Sequence, residues 1–463
     1  MSPALTDELL DRLDVELADT DALLADAYPG DDGRRQPVHT VYVPADRYTP
    51  DLPRDWGRSA LDLVQEHGGI ETVCALAGLS DELTGEVAPR VLAKLERDPI
   101  EDLRLDFEDG YGSRGDEAED RDSVAAAEQV VTALQSGSAP AWVGPRFKCF
   151  EAPTRRRGIR TLDLFLGALL EGNGVLPDGL VLTFPKVSTV SQVDAMVAVC
   201  EQLEQAYGLA SGRLRFEIQV ETPQLIIGAD GRVPISQAVH AGLGRVSALH
   251  YGTYDYSASL QISAEYQASD HPAADFAKQV MQVAVAGTPV HLSDGSTNLL
   301  PVGSADQVRR AWTVHAGLVR RALERGFYQG WDLHPGQLPT RYAATFAFYR
   351  EGAARAAKRV HDYLTNAESG VLDEPATLRA LARYLQRGHD CGAIDEEELI
   401  AMAGITAEQV ATLARPRSDT KGVSPTLRDT ATPAETRAPS LDRATRQDGR
   451  DHSPKDHEGV LPR

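Results

Sequence analysis

The sequence predicts an α/β fold: a (β/α)8 TIM barrel with a helical insertion, a C-terminal helical appendage and a disordered tail. Short β-branched and aromatic runs alternate with amphipathic helical patterns at about 30 to 40 residues per unit, which is typical of βαβ units in a parallel sheet. Eight such runs occur, the number that closes a barrel. Several runs end in carboxylates, and barrels of this class keep their chemistry at the C-terminal tips of the strands.

A helical segment is predicted over residues 1–36. Leu9, Leu13 and Leu17 follow helical spacing, and Tyr28-Pro-Gly30 ends the run. We expect this leading helix to lie on the main body of the protein.

The barrel domain is predicted over residues 37–370. The predicted strands are 39–43, 102–107, 141–147, 179–184, 214–220, 247–252, 289–292 and 328–333. The predicted helices between the later strands are 122–136, 161–171, 188–207, 233–242, 271–286 and 304–325. Residues 47–100 are mostly helical and exceed a minimal strand-to-strand connection, which indicates a helical insertion. A further helix, from Pro339 to about Ala367, follows the eighth strand.

Two segments follow the barrel. Residues 371–414 are predicted to form an appendage of two or three short amphipathic helices. Residues 415–463 contain no Phe, Trp, Tyr, Ile, Met or Cys. Such a segment cannot bury enough apolar surface to order itself, so we expect a disordered tail.

The charge balance and the cysteines narrow the class of function. Lys and Arg total 47 against 69 Asp and Glu, so we expect neither a nucleic-acid nor an anionic-membrane partner, since both need a basic footprint. The four cysteines form no CxxC pair, which fits a reducing compartment and offers no zinc cluster or disulfide frame. No apolar run is long enough to cross a bilayer and no signal-peptide pattern begins the chain, so a cytoplasmic protein is expected. The GxxxxGKS/T, HExxH and GxSxG motifs are absent, which weakens nucleotide hydrolysis, zinc proteolysis and serine hydrolysis as functions.

Two carboxylates at neighbouring strand tips are the candidate metal ligands. Glu217, Gln219 and Glu221 alternate along the fifth strand and share one face, which points into a small barrel. The Glu221 carboxylate is either a metal ligand or half of an internal salt bridge. Asp255 follows the sixth strand after Gly252, which lets the backbone approach closely. Alone, Asp255 is better explained as a helix N-cap, but beside Glu221 the ligand interpretation gains.

Three more carboxylates crowd the end of the second strand. Asp106 and Glu108 share a face, and Asp109 belongs to the following turn. Like charges this close repel unless a cation or an arginine offsets them. Surface acidity explains these residues about as well as hydrogen bonding to metal-bound water does.

Three further polar side chains mark strand ends. Arg146, at the third strand, suits bidentate capture of a substrate carboxylate, or forms a structural salt bridge to Glu108 or Asp109. Lys186, at the fourth strand, could form a Schiff base, but an acidic neighbourhood would keep it protonated, so we favour ion pairing or substrate contact. His334, at the exit of the eighth strand, is either an acid/base or a satisfied structural histidine.

Seven short motifs in this order resemble the citrate lyase β-subunit / HpcH–HpaI aldolase superfamily over about residues 38 to 350. The motifs are Val41-Tyr-Val-Pro44, Leu105-Asp-Phe-Glu-Asp109, Val143-Gly-Pro-Arg-Phe147, Phe184-Pro-Lys-Val187, Val220-Glu-Thr222, Tyr251-Gly-Thr-Tyr-Asp-Tyr256 and Leu333-His-Pro-Gly-Gln337. The resemblance implies a phosphoenolpyruvate/pyruvate-type TIM barrel. Any one motif is weak, but their common order is specific.

The resemblance also implies roles for individual residues. The magnesium-binding Glu and Asp of the family correspond to Glu221 and Asp255, and its carboxylate-binding Arg corresponds to Arg146. Lys148 stands where the family usually has Asn. The sequence offers no clear match to the distal catalytic Asp of the CoA-thioester lyases, which argues against a CoA substrate.

The sequence therefore predicts a metal-dependent carbon–carbon lyase or aldolase that acts on a pyruvate- or glyoxylate-like 2-oxo acid through a metal-stabilised enolate. The expected cofactor is Mg²⁺ (or Mn²⁺). The residues expected to contact substrate are Arg146, Lys186, Gly252 and Thr253. The residues expected to serve catalysis are Arg146, Asp106, Glu108, Asp109 and His334: the arginine fixes the substrate, the three acids orient metal-bound water, and one such water or the histidine moves the proton.

Two alternatives stay open. A CoA-ester lyase or a malate-synthase-like enzyme, of the malyl-CoA or citramalyl-CoA type, would keep the metal and use a CoA ester. A non-catalytic barrel would instead serve as a partner-binding subunit through its appendage and tail. A homo-oligomer is expected because members of the family are often oligomeric.

Overall fold

The structure is a computed structural model, and it describes residues 5–365 and 374–415. Its strands are β1 (His39–Pro44), β2 (Asp102–Asp106), β3 (Trp142–Arg146), β4 (Leu182–Phe184), β5 (Phe216–Val220), β6 (Val246–Tyr251), β7 (His291–Ser293) and β8 (Gly330–Asp332). All pair in parallel, in the order β7-β6-β5-β4-β3-β2-β1-β8. A single parallel bridge between Ser293 and Gln329 brings β7 to β8. The predicted eight-stranded barrel, nearly closed, is confirmed.

Helices surround the strands and account for most of the remaining described chain. They are α1 (Asp7–Ala27), α2 (Leu52–Glu66), α3 (Gly69–Leu76), α4 (Asp81–Arg97), α5 (Asp116–Ser136), α6 (Arg155–Asn173), α7 (Val190–Tyr207), α8 (Pro223–Ile226), α9 (Pro234–Ala241), α10 (Thr253–Ser259), α11 (Pro272–Val285), α12 (Ala305–Glu324), α13 (Leu338–Thr365), α14 (Pro375–Asp390), α15 (Glu396–Ala403) and α16 (Ala407–Ala414). Short 3-10 turns lie at Ala45–Arg47, Ala264–Tyr266 and Pro335–Gln337.

The barrel interior is polar, because charged and apolar residues alternate along β2 and β5. Leu103 and Leu105 are fully buried in the layer between strands and helices. Arg104, between them, points inward and reaches across the barrel to Glu217 on β5, with Nη2–Oε2 at 2.7 Å. The period-two pattern of these strands thus delivers carboxylates and guanidinium groups to the barrel axis.

The insertion and the appendage share one partner helix. Residues 47–100 form α2, α3 and α4, which pack against α13, the long helix after β8. The appendage residues form α14, α15 and α16; α14 and α15 also pack on α13, and α16 packs on α14. Arg350 of α13 fixes this contact through its ion pair with Glu398 of α15, at 3.0 Å. The predicted helical insertion and helical appendage are therefore both present.

The N-terminal helix differs from the prediction in its packing. It forms over Asp7–Ala27, but none of its residues is buried. The side chains of Leu13 and Leu17 remain 40% and 49% exposed. The expectation that this helix lies on the main body is not met by any buried residue of the helix, because helical spacing identifies an apolar face without identifying the surface that covers it.

Some predictions fall outside the described residues. The predicted tail does so apart from Arg415, as do the end of the predicted helix at 366–367 and the start of the appendage at 371–373. Among the described helices, none is long and apolar enough to span a membrane.

Candidate active site

Five polar side chains meet at the C-terminal rim of the barrel. Asp106 ends β2, Arg146 ends β3, and Lys186 follows β4. Glu221 follows β5, and Asp255 lies in the first turn of α10, directly after β6. Because all strands run parallel, their ends share one rim, and residues far apart in the sequence become neighbours there.

Arg146 is held in place by Asp106. Its Nε and Nη2 donate to Asp106 Oδ1 and Oδ2 at 2.7 and 2.6 Å, a bidentate pair on adjacent strands. Among the described residues, the ion-pair contacts of Arg146 Nη1 are longer, 3.6 Å to Glu108 and 3.5 Å to Asp109. The guanidinium also lies over the Tyr42 ring, 4.8 Å from its centroid. Arg146 therefore has a structural salt bridge, and its Nη1 edge is left for a further anion.

Asp106 is itself fixed by the turn that follows β2. Its Oδ1 accepts from the backbone N–H of Glu108 at 2.9 Å, and its Oδ2 accepts from that of Gly110 at 2.7 Å. With Arg146 these contacts use both oxygens of a carboxylate that is only 2% exposed. Asp106 acts as the anchor of Arg146.

Lys186 lies between the acidic groups of two segments, the turn after β2 and the start of α10. Its Nζ is 2.9 Å from Glu108 Oε1, 3.1 Å from Asp109 Oδ1 and 2.9 Å from Asp255 Oδ2. Burial alone would lower the pKa of Lys186, but the carboxylates of Glu221 and Glu108 raise it above its usual value. The ammonium group stays charged at neutral pH, which disfavours a Schiff-base nucleophile.

Glu221 is a buried carboxylate without an ion pair in the described part of the chain. It is 3% exposed, and its Oε1 accepts from the backbone N–H of Lys186 at 2.8 Å. Burial raises the pKa of Glu221 to about 7; Lys186 and Arg146 oppose the rise and Asp255 adds to it. A Cβ atom on Gly252 would lie 2.5 Å from Glu221 Cβ, so a glycine is needed for this close approach.

Glu108 is a rim carboxylate whose pKa lies well above its usual value. Burial raises its pKa to about 8, with Arg146 opposing the rise and Asp109 adding to it. Burial would raise the pKa of Asp109, but Arg146 and the hydrogen bond with Glu108 lower it below its usual value. At pH 7 Glu108 is therefore mostly protonated, as a general acid should be.

Two predicted site residues make their hydrogen bonds away from the acidic rim. His334 is half-buried, and its Nδ1 accepts from the backbone N–H of Gly336 at 3.0 Å. Over residues 5–365 and 374–415, no hydrogen bond or ion pair joins His334 to the acidic rim. Thr253 is 2% exposed, and its hydroxyl donates to the carbonyl of Ser296 in the loop after β7, at 3.1 Å.

Tyr42 is a site residue that the sequence did not reveal. Its ring faces Arg146, and its hydroxyl accepts from Gln219 Nε2 at 3.3 Å. Its sequence position could have identified it. Val41 and Val43 pack outward against the helices, so the alternation of side chains along the strand directs Tyr42 inward.

The rim fits a divalent cation held by two carboxylates. Mg²⁺ is commonly bound by one or two carboxylates, with water or substrate oxygens completing its shell. Glu221 is a buried carboxylate without an ion pair among the described residues, so such a cation would supply its missing partner, and Asp255, which pairs with Lys186, offers the second carboxylate. In the part of the chain that the structure describes, no cluster of three or more His, Cys, Asp or Glu side chains could hold a metal.

We expect divalent-cation affinity to rise as the pH increases through about 7, the pKa of Glu221. The cation binds the ionised carboxylate, so below that pH a proton must leave first. Calorimetric titration of Mg²⁺ in buffers of different ionisation enthalpy should therefore detect release of about one proton per ion near pH 6 and much less near pH 8.5.

The Glu108→Gln variant is the control for this titration, because Glu108 also titrates in this range. It should keep most of the proton release near pH 6. An affinity that does not change across this pH range would show that ionisation of Glu221 is not linked to cation binding.

Solved structures with the same barrel are similar to this chain at low sequence identity. Citrate lyase from Burkholderia xenovorans LB400 is 20% identical, with 81% of this chain and 99% of that chain covered and a TM-score of 0.50. Malate synthase from Haloferax volcanii in a magnesium/glyoxylate complex is 14% identical, with coverages of 82% and 98% and a TM-score of 0.43. The citrate lyase β subunit from M. tuberculosis, complexed with oxaloacetate and magnesium, is 16% identical, with coverages of 68% and 98% and a TM-score of 0.38.

The likeness to the Burkholderia xenovorans protein shows the fold and no more. No curated protein matches the sequence. One family, the domain of unknown function DUF6986, matches residues 17–418, which includes the whole barrel and the helical appendage. The chain belongs to the DUF6986 family.

Proposed function

We propose that this protein is a metal-dependent carbon–carbon lyase or aldolase that acts on a pyruvate- or glyoxylate-like 2-oxo acid. The observation that carries the proposal is the Glu221 carboxylate, 3% exposed and without an ion pair in the described chain, at the rim where Asp255 also lies. An uncompensated buried carboxylate costs stability, and it is retained where it binds a positive partner.

Glu221 and Asp255 would hold Mg²⁺ (or Mn²⁺) at this rim. When bound, such a cation supplies the positive charge that stabilises the enolate of a 2-oxo acid. The remaining chemistry falls to the protein's own side chains. Arg146 offers its Nη1 edge to the substrate carboxylate, and its bidentate pair with Asp106 fixes the orientation of that edge.

Glu108 is the side chain best placed to move a proton. Its pKa of about 8 keeps it protonated at neutral pH, within the range that suits general acid–base catalysis. Lys186, 2.9 Å from Glu108 Oε1, stabilises the carboxylate once the proton has left. This arrangement assigns to Glu108 the proton transfer that the sequence had assigned to His334 or a water.

Deuterium exchange tests the proposal without knowledge of the second substrate. The purified full-length protein is incubated in D₂O with pyruvate or with acetyl-CoA, and methyl-proton loss is followed by NMR. We expect exchange of pyruvate protons with Mg²⁺ and none after chelation. Exchange of acetyl-CoA protons instead would favour the CoA-ester alternative, and exchange of neither by the metal-loaded protein would favour a non-catalytic barrel.

We expect the Lys186→Met variant to bind Mg²⁺ about tenfold more tightly and to turn over more slowly. The Lys186 ammonium group lies 2.9 Å from Asp255 Oδ2 and competes there with any other cation. Its loss also removes a positive charge beside Glu108. Calorimetry measures the affinity, and deuterium exchange measures the turnover.

Lys358→Met is the matched control, because Lys358 forms a 2.7 Å ion pair with Asp362 on an exposed helix face. That variant should change neither quantity. An Mg²⁺ affinity of Lys186→Met that equals or falls below that of the wild type would contradict competition at Asp255.

The predicted cytoplasmic location and homo-oligomer stay predictions.

A further inference from the structure

A second cavity opens at the opposite end of the barrel, where the strands begin. Its volume is about 380 Å³, within the range of about 300–1,000 Å³ found for small-molecule sites. The first residues of β2 and β3, the segment before β5 and residues 247, 248 and 250 of β6 contribute to its wall. The active-site residues described above lie at the other ends of these strands, and none of them lines this cavity.

The wall of this basal cavity is basic, although the whole chain carries a formal charge of −22. The five arginines that line it are Arg34, Arg35, Arg104, Arg213 and Arg215. The three acidic residues that line it are Asp102, Asp178 and Glu217. A concave surface with an excess of one sign of charge focuses its field on ligands of the opposite sign.

Two of the three carboxylates share one arginine. Arg104 pairs with Asp102, and its Nη2 is 2.7 Å from Glu217 Oε2, which also lies 3.1 Å from His250 Nε2. This buried layer of paired groups lines the floor of the cavity. At the mouth, Arg34 pairs with Asp32 and Arg35 with Glu101, whereas Arg213 and Arg215 make no ion pair with the described residues.

Arg215 has no counter-charge. Within residues 5–365 and 374–415, its side chain makes no ion pair, and its Nε is buried without a hydrogen-bond partner. On the neighbouring strand, the Ser247 hydroxyl is also buried without a partner, and so is Arg35 Nε. Buried donors without partners carry a desolvation cost, so their grouping in one cavity indicates an acceptor that binds there.

The orientation of Arg35 is fixed by its neighbours. Its guanidinium is 2.8 Å from Glu101 through Nη2 and lies over the Trp142 ring at 5.0 Å. Burial and the charge of Arg34 lower the pKa of His291 to about 4, so this ring is neutral at pH 7 and adds no charge to the cavity.

We propose that the basal cavity is a second binding site, which takes a small polyanion, a phosphate or polycarboxylate group, on Arg215, Arg35 and Ser247. Guanidinium groups bind both kinds of anion through bidentate hydrogen bonds, and because they have no acceptor atom, the two arginines here cannot bind a cation. The site lies outside the proposed catalytic rim and does not depend on the metal.

Calorimetry on the full-length protein tests the site. The protein is freed of metal on a chelating resin, because a soluble chelator is itself a polyanion, and is titrated with inorganic phosphate or with tricarballylate. We expect saturable binding of at least one probe, and the difference between the two identifies the anion class. Binding of the preferred probe should weaken at least tenfold in Arg215→Gln.

Arg232→Gln is the matched control, because Arg232 is an exposed arginine 3.5 Å from Asp230 and its loss changes the net charge equally. It should bind the probe as the wild type does. No saturable binding of either probe, or equal binding by Arg215→Gln and the wild type, would overturn the proposal.

Thermal unfolding separates this ligand role from a structural one. Without anion, Arg215→Gln should be at least as stable as the wild type, because it loses an unpaired charge beside other arginines. Added probe should raise the Tm of the wild type but not that of the variant. A lower Tm of the variant without anion would show that Arg215 stabilises the fold, and it would contradict the proposal.

Discussion

Replacement of Glu221 by Gln is expected to lower Mg²⁺ affinity by more than about a hundredfold and turnover by about a thousandfold. The substitution keeps the shape of the side chain and removes the charge that would hold the cation. Loss of a residue that supports a metal ligand costs about 10- to 100-fold, so loss of a ligand's charge should cost at least as much. A cation contributes several kcal/mol to stabilising the transition state, and about 4 kcal/mol equals a thousandfold.

The same variant should not unfold more readily without metal. Because burial raises the pKa of Glu221 above its value in the unfolded chain, the stability that it contributes is fully present at acid pH and is lost as the pH rises through about 7. Glutamine mimics the protonated form. At about pH 8 the metal-free variant should therefore have a Tm equal to or above that of the metal-free wild type.

The control is Glu265→Gln, an exposed carboxylate in the 3-10 turn after α10. It changes the net charge equally and should leave Mg²⁺ affinity and turnover unaltered. Full Mg²⁺ affinity and full activity in Glu221→Gln would refute the assignment of this carboxylate to the cation.

Much of the fold could be predicted because each strand pattern is local. The alternation of Glu217, Gln219 and Glu221 with buried apolar residues identifies β5 and its inward face without knowledge of any neighbour. The position of Gly252 at a strand tip also predicts a close approach of the backbone. The structure gives the reason, because the Glu221 side chain lies beside this glycine.

Pairing between elements could not be predicted with the same success. The sequence offered Glu108 or Asp109 as the salt-bridge partner of Arg146, whereas the parallel register of β2 and β3 places Asp106 directly opposite it. Lys186 bridges acids from two further elements because its backbone adopts a positive φ of 51°, which no sequence pattern indicated. Register and local backbone conformation decide these contacts, and both depend on the assembled barrel.

The basal cavity shows the same limit more clearly. Arg213 and Arg215 precede β5, and Arg34 and Arg35 precede β1, so they are far apart in the sequence. Only the strand order brings these two segments to one end of the barrel. The net negative charge of the chain gave no indication of a basic cavity, because the total charge of a protein does not determine the charge of a local surface.

Replacement of Arg146 by Gln is expected to lower kcat/KM by about a thousandfold and to destabilise the fold by about 3–5 kcal/mol. Asp106 would keep its two backbone N–H donors but lose a bidentate partner at a site where both residues are almost fully buried. Removing one member of a buried pair leaves an uncompensated charge, which costs far more than the pair itself contributes. Urea unfolding measures the stability, and the exchange assay measures the activity.

Two further variants separate the roles of Arg146. Arg160→Gln is a matched control on the surface, because Arg160 also forms a bidentate pair, with Asp120, but its side chain is 59% exposed. It should cost no more than about 1 kcal/mol and leave activity unchanged. In the double variant Arg146→Gln/Asp106→Asn, much of the lost stability should return while activity stays low, because the unpaired charge is gone and the substrate contact is still missing. If Arg146→Gln costs no more than Arg160→Gln, the buried pair does not fix the rim, and if the double variant regains activity, Arg146 does not bind the substrate.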